Sequence, residues 1–121
     1  MILVDTSIWI DHLRSGDTRL ADLLDRSQVL AHPFVTGELA CGNLRNRDEI
    51  LRLLNDLPQS PLASSEEALH FIECNQLMGL GVGYIDIHLL AATALAENAM
   101  LWTGYKRLKK VASKMKLAFD E

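Results

Sequence analysis

Three apolar runs constrain this chain most: Ile2-Leu3-Val4, Val29-Leu30-Ala31 and Met100-Leu101-Trp102. Each is too short for a helix, stops at polar or turn-forming residues, and is followed by a stretch with helical spacing. Runs with no polar position suit strands covered on both faces, which are typical of parallel sheets. Parallel neighbours need a crossover, usually helical, between them. The pattern predicts an α/β fold with a mainly parallel central sheet, covered on both faces. Leu117-Ala118-Phe119 reads as a last strand.

The helices are predicted from punctuation and periodicity. Asp5-Thr6-Ser7 closes the first strand and starts a helix carrying Ile8, Trp9, Ile10 and Leu13. A second begins near Asp17 and carries Leu20, Leu23 and Leu24. His32-Pro33 turns into a third with Val35, Leu39 and Leu44. Ile50, Leu51, Leu53 and Leu54 form an amphipathic helix ending before Pro58. Ser64-Ser65-Glu66-Glu67 is a capping signal for a long helix holding Leu69, Ile72, Leu77 and Leu80. Gly79, Gly81 and Gly83 break the chain. Tyr84 to Ala96 is helical and almost wholly apolar, so it belongs inside. Tyr105 to Lys114 is the last helix.

The chain reads as one domain over residues 1–121, with 49% hydrophobic and 23% charged residues, a composition that excludes a disordered chain. No apolar run is long enough to cross a bilayer, and no basic leader precedes Ile2, so a cytoplasmic location is expected. Cys41 and Cys74 lack metal-type spacing and are expected to be reduced and mostly buried. The net charge is −4, yet all five lysines fall between Lys106 and Lys116, joined by Arg107. A local basic face can follow a phosphate backbone even on an acidic domain. A solvated helix face explains the same residues.

Three carboxylates stand apart. Asp5 follows the first strand directly, where active sites of open parallel sheets gather. Glu38 lies in Phe34-Val35-Thr36-Gly37-Glu38-Leu39-Ala40. Asp86 lies in Gly83-Tyr84-Ile85-Asp86-Ile87-His88, on the most apolar helix. Each alone is explained by a helix cap or dipole. Converging, they would repel and raise one another's pKa unless a cation lay among them. A hard divalent ion, Mg²⁺ or Mn²⁺, suits an all-oxygen set and leaves room for phosphate. His12, His32, His70 and His88 read as surface or packing residues.

In order along the chain, these segments resemble the PIN-domain family and, within it, the VapC-type toxin ribonucleases. Ile2 to Ile10 is similar to the family's opening strand and first catalytic Asp. Thr36-Gly37-Glu38-Leu39 is similar to its second acidic motif, and Gly83 to Ala94 to its third. Leu101-Trp102-Thr103 with Lys106-Arg107-Leu108 is similar to its last. The resemblance implies a three-layer α/β/α sandwich, Mg²⁺- or Mn²⁺-dependent endoribonuclease activity, a cognate antitoxin protein and a homodimer. It implies in-line attack by a metal-activated water, leaving a 5′-phosphate and a 3′-hydroxyl. By position, Asp5, Glu38 and Asp86 are the catalytic acids and metal ligands, with Thr6, Ser7 and Thr103 as supporting hydroxyls. Lys106, Arg107, Lys109 and Lys110, with Arg14 and Arg45, are candidates for the RNA backbone.

One position departs. The family usually carries a fourth acid two residues after the last-strand threonine, and here that residue is Tyr105. The later acids, Asp120 and Glu121, stand too near the chain end to replace it. The readings left are a one-metal site, a site with a weak second metal and slow cleavage, and a PIN-fold module that binds RNA or antitoxin without cutting. A remote rival is a receiver-like signalling domain with Asp56 before Leu57-Pro58, although Asp56 ends a helix and no acidic pair follows the first strand.

Overall fold

The computed structural model describes residues 1–119. Asp120 and Glu121 lie outside the described residues. The elements run β1 (Ile2–Val4), α1 (Thr6–Ser15), α2 (Thr18–Asp25), β2 (Val29–Leu30), α3 (Pro33–Ala40), α4 (Arg47–Asp56), α5 (Ser65–Asn75), α6 (Tyr84–Leu95), β3 (Met100–Trp102) and α7 (Lys106–Lys114). The three strands are parallel in the order β2-β1-β3. Ile2 pairs with Val29 and with Met100, and Val4 with Trp102.

All three residues of β1 are buried, so side chains on both faces of the sheet are covered. This is the α/β/α sandwich expected from apolar runs without alternation. α1, α3 and α4 pack in series, α5 packs on α6, and α6 packs on β3. The core joins Leu3, Trp9, Leu20, Leu54, Leu89, Leu90, Leu101, Trp102 and Leu108. α6 is buried continuously from Ile87 to Thr93.

Local chemistry sets the helix starts. Asp17 accepts from the backbone N–H groups of Arg19 and Leu20. Ser64 and Glu67 form a reciprocal capping box. His32 caps α3 through Nδ1, which accepts from the N–H of Phe34 at 3.0 Å.

Several expectations are corrected. Helix α5 stops at Asn75, because Gln76 adopts a left-handed conformation, and Leu77 and Leu80 lie beyond it. Leu44 lies outside α3, in the connection to α4. Leu117-Ala118-Phe119 makes only one parallel bridge, Leu101 to Ala118, and is not a full strand. A second lone bridge, Ala31 to Gln59, was unforeseen because Pro58 and Pro61 mask any strand pattern there. Both cysteines are free, as expected, but exposed rather than buried. Asp56 ends α4, so the loop after a strand that a receiver-like domain needs is missing there. Among the described residues no helix is long and apolar enough to cross a membrane.

Candidate active site

The turn from β1 into α1 fixes Asp5. Its backbone N–H donates to the Trp102 carbonyl at 3.0 Å, tying the end of the central strand to β3. Its side chain is the N-cap of α1, with Oδ1 accepting from the N–H of Thr6 at 2.6 Å. Oδ2 accepts from the hydroxyls of Thr103 at 2.5 Å and Ser7 at 3.1 Å. Asp5 is only 1% exposed. Burial raises its pKa; the bonds from Thr103, Thr6 and Ser7 oppose the rise, and the charge of Asp86 adds to it.

The other two acids arrive on helices. Glu38 is exposed on α3, and its Oε1 accepts from the hydroxyl of Thr6 at 2.6 Å. Asp86 lies in the first turn of α6, where Oδ2 accepts from the N–H of Gly83 at 3.2 Å. Burial raises the pKa of Asp86, and the charge of Glu38 raises it further. Asp5 therefore senses Asp86, and Asp86 senses Glu38. Among the described residues, however, no three His, Cys, Asp or Glu side chains converge closely enough to hold an ion in common.

The three hydroxyls singled out in the sequence all reach this cluster, Thr6 to Glu38 and both Ser7 and Thr103 to Asp5. The Gly104 N–H donates to Ser7 Oγ and the Tyr105 N–H to Thr103 Oγ1, which folds the segment after β3 over the site. Tyr105 is 49% exposed. Burial raises the pKa of its phenol, and the charges of Asp5, Glu38 and Asp86 raise it further. It is thus a neutral hydroxyl at the edge of three anionic groups. A phenol held neutral is a hydrogen-bond donor, not a metal ligand.

The cationic candidates fall in two places. Lys106, Arg107, Lys109 and Lys110 are exposed on α7, which starts directly after Tyr105. The Arg107 side chain lies across Gly81, where an added Cβ would stand 2.6 Å from a guanidinium nitrogen. Arg14 and Arg45 line a cavity of about 680 Å³ that includes Glu38. The sequence singled out Arg14 and Arg45 but not the cavity, because its walls come from α1, α3, α4 and the connection between the last two.

Two of the histidines read as surface or packing residues are wholly interior. His32 is 0% exposed and His88 3%. A chain of edge-on rings, Tyr84–His88–Phe34–His32, joins α6 to α3 with centroids 4.7, 4.8 and 5.1 Å apart. Among the described residues the Nε2 of His32 and Nδ1 of His88 are buried without a hydrogen-bond partner. Burial and the nearby His88 lower the pKa of His32 to about 4.

Residues 2–114 match the family model of the PIN domain. The chain is also similar to Ribonuclease VapC32 of Mycobacterium tuberculosis, in strain CDC 1551 / Oshkosh and in strain ATCC 25618 / H37Rv. Each is 44% identical over 121 residues, covering 100% of this chain and 98% of the relative.

Proposed function

This chain belongs to the PIN-domain family, and on that footing we propose that it is a metal-dependent endoribonuclease, the toxin of a toxin–antitoxin pair. The observation that carries the reading is Asp5. An acid at the carboxyl end of the central strand is kept in the interior by three donors while burial and a second acid disfavour its charge. Such an arrangement costs folding free energy, and acids perturbed in this way cluster at functional sites.

The donor set is suited to a hard divalent cation. It offers carboxylate and hydroxyl oxygens and no thiolate, and the acids destabilise one another's charged forms. Asp5 and Asp86 would hold Mg²⁺ or Mn²⁺ most directly. Glu38, exposed and able to change rotamer, would complete the shell directly or through water. When bound, such an ion offsets the repulsion, lowers the pKa of a water and stabilises charge on a phosphodiester.

The protein's own groups do the rest. Thr103 and Ser7 hold Asp5 in one orientation, while Glu38 takes a single hydroxyl bond, from Thr6. Glu38 is suited to orient an attacking water. Tyr105 offers its phenolic proton to a non-bridging phosphate oxygen. Lys106, Arg107, Lys109 and Lys110 steer the backbone of the RNA strand. The reading places one domain across residues 1–121, acting in the cytoplasm where its RNA substrate lies. A cognate antitoxin that covers the site, and a homodimer, complete it.

The test is Asp5→Asn. Purified variant should keep the fold by circular dichroism and lose most Mn²⁺-dependent cleavage of RNA, the wild type yielding 5′-phosphate ends. Undiminished cleavage by the variant contradicts the assignment. The position of Tyr105 favours a second reading, a binding module with little or no catalysis. Comparing wild type with Tyr105→Asp separates the two: cleavage that appears only in the variant supports the second.

A further inference from the structure

We propose, independently of the nuclease reading, that Cys74 and His70 form a thiol-modification site, in a cavity between α5 and α6, that takes up small neutral or cationic disulfides. His70 and Cys74 stand one helical turn apart on α5, so their side chains share a face. Cys74 Sγ and His70 Nε2 lie 3.1 Å apart, within hydrogen-bond distance. Both residues are exposed. The chain holds an internal contrast. Cys41 is also a free, exposed thiol, yet its side chain has no hydrogen-bond partner among the described residues.

The pair supplies what thiol–disulfide exchange needs from the protein. The thiol S–H can donate to Nε2 when the ring proton sits on Nδ1. The imidazole takes that proton, and the thiolate attacks one sulfur of a small disulfide. A new S–S bond forms to Cys74 as the old one breaks. The departing sulfur leaves with the bonding pair and recovers the proton from His70 as a free thiol. Cys74 is oxidised, the small disulfide is reduced, and no other reactant is consumed. At pH 7 an ordinary thiol is only about 3% ionised, so a neighbouring base has room for a gain of up to about thirtyfold.

The cavity beside the sulfur supplies room and selects the reagent. Its volume is about 550 Å³, enough to enclose a small molecule. Phe71 of α5 faces Ala91, Ala94 and Leu95 of α6 as apolar walls. Its charged residues are the acids Glu66 and Glu67, and among the described residues no Lys or Arg lines it. Glu66 stands one turn before His70 on the same helix. Carboxylates unmatched by cations attract positive reagents and repel negative ones. Disulfides bearing amines, or no charge, are therefore favoured over those bearing carboxylates. Asp5, Glu38 and Asp86 do not line this cavity, so it is separate from the acid cluster.

The experiment uses two full-length single-thiol proteins, Cys41→Ser and Cys74→Ser, treated at pH 7 with cystamine, hydroxyethyl disulfide or oxidised glutathione. Adducts are followed by intact-mass spectrometry. Cys74 should take up cystamine about tenfold faster than Cys41. Relative to the rates of N-acetylcysteine amide with the same reagents, Cys74 should prefer cystamine, then the neutral disulfide, then glutathione disulfide. Adding Glu66→Gln should narrow that spread, as should high salt. Adding His70→Ala should slow Cys74 to the rate of Cys41, with the circular dichroism spectrum and melting temperature kept. Free imidazole should then restore part of the rate, which a purely structural role for His70 would not allow. Equal rates at the two cysteines, a His70→Ala protein as fast as its parent, or a preference for glutathione disulfide overturns the proposal.

Discussion

Replacing His32 by asparagine separates two roles that one buried ring now performs. The imidazole caps α3 through an unprotonated Nδ1, and it fills space at the end of a chain of rings. Protonation would turn the accepting nitrogen into a donor facing the N–H of Phe34 and place a charge in the interior. Its pKa is lowered accordingly, from 6.5 to about 4. The unfolded chain therefore binds the proton more readily. Stability from this group is complete above pH 6.5 and is lost as pH falls toward 4. With those two values, the loss is about 0.8 kcal/mol at pH 6, about 2 at pH 5 and about 3 at pH 4. Asparagine is a strong N-cap and does not titrate. It should cost about 1–2 kcal/mol at every pH for the missing ring. Urea denaturation of the metal-free proteins should find the variant weaker at pH 7.5, equal to wild type between about pH 6 and pH 5, and stronger at pH 4. The opposing slopes of Asp5 and Asp86 are common to both proteins and cancel in the difference. Two parallel curves across this range would refute the argument.

Two further outcomes concern the acids and the caps. Asp5 and Asp86 have raised pKa values, so in the metal-free chain their contribution is fully present below the ordinary carboxylate value of 3.8. It is lost as pH rises through the raised values. Mg²⁺ or Mn²⁺ should therefore raise the melting temperature more at pH 7.5 than at pH 5 by scanning calorimetry, and Asp5→Asn should reduce that rise sharply. Ser64→Ala removes half of the α5 capping box and should cost about 1 kcal/mol, or about 4 °C in melting temperature, with cleavage unchanged.

The layers and most helix starts were legible because they rest on local chemistry. Apolar triplets made strands, and Asp17 and Ser64 marked helices that the fold keeps. Where the reading failed, a distant or subtle effect decided. Leu77 and Leu80 continue a helical spacing, but Gln76 turns left-handed and ends the helix before them. Cys41 and Cys74 are a residue type usually found inside, and nothing local announces that both lie outside. At the site, Asp5, Glu38 and Asp86 were separated from ordinary capping acids only by their order and motifs. Their hydroxyl partners followed from the same motifs. The lining of the cavity beside Glu38 and the buried state of His32 depend on which helices pack together, which spacing along one chain does not encode.

The lone bridges at Gln59 and Ala118 decide what the rims of a three-stranded sheet expose. Ala31 exchanges both of its backbone bonds with Pro58 and Ser60, and Leu101 does so with Leu117 and Phe119. On the β2 side Pro58 and Ser60 turn their backbone groups inward to Ala31, and Pro61 has no N–H to offer a further strand, so that rim is a poor template for growth. The β3 side has no proline and depends on Leu117 to Phe119 staying in place. A truncation that removed those residues would bare the backbone of Leu101, two positions before Thr103, so the same cut would invite edge-to-edge self-association and loosen the hydroxyl that holds Asp5.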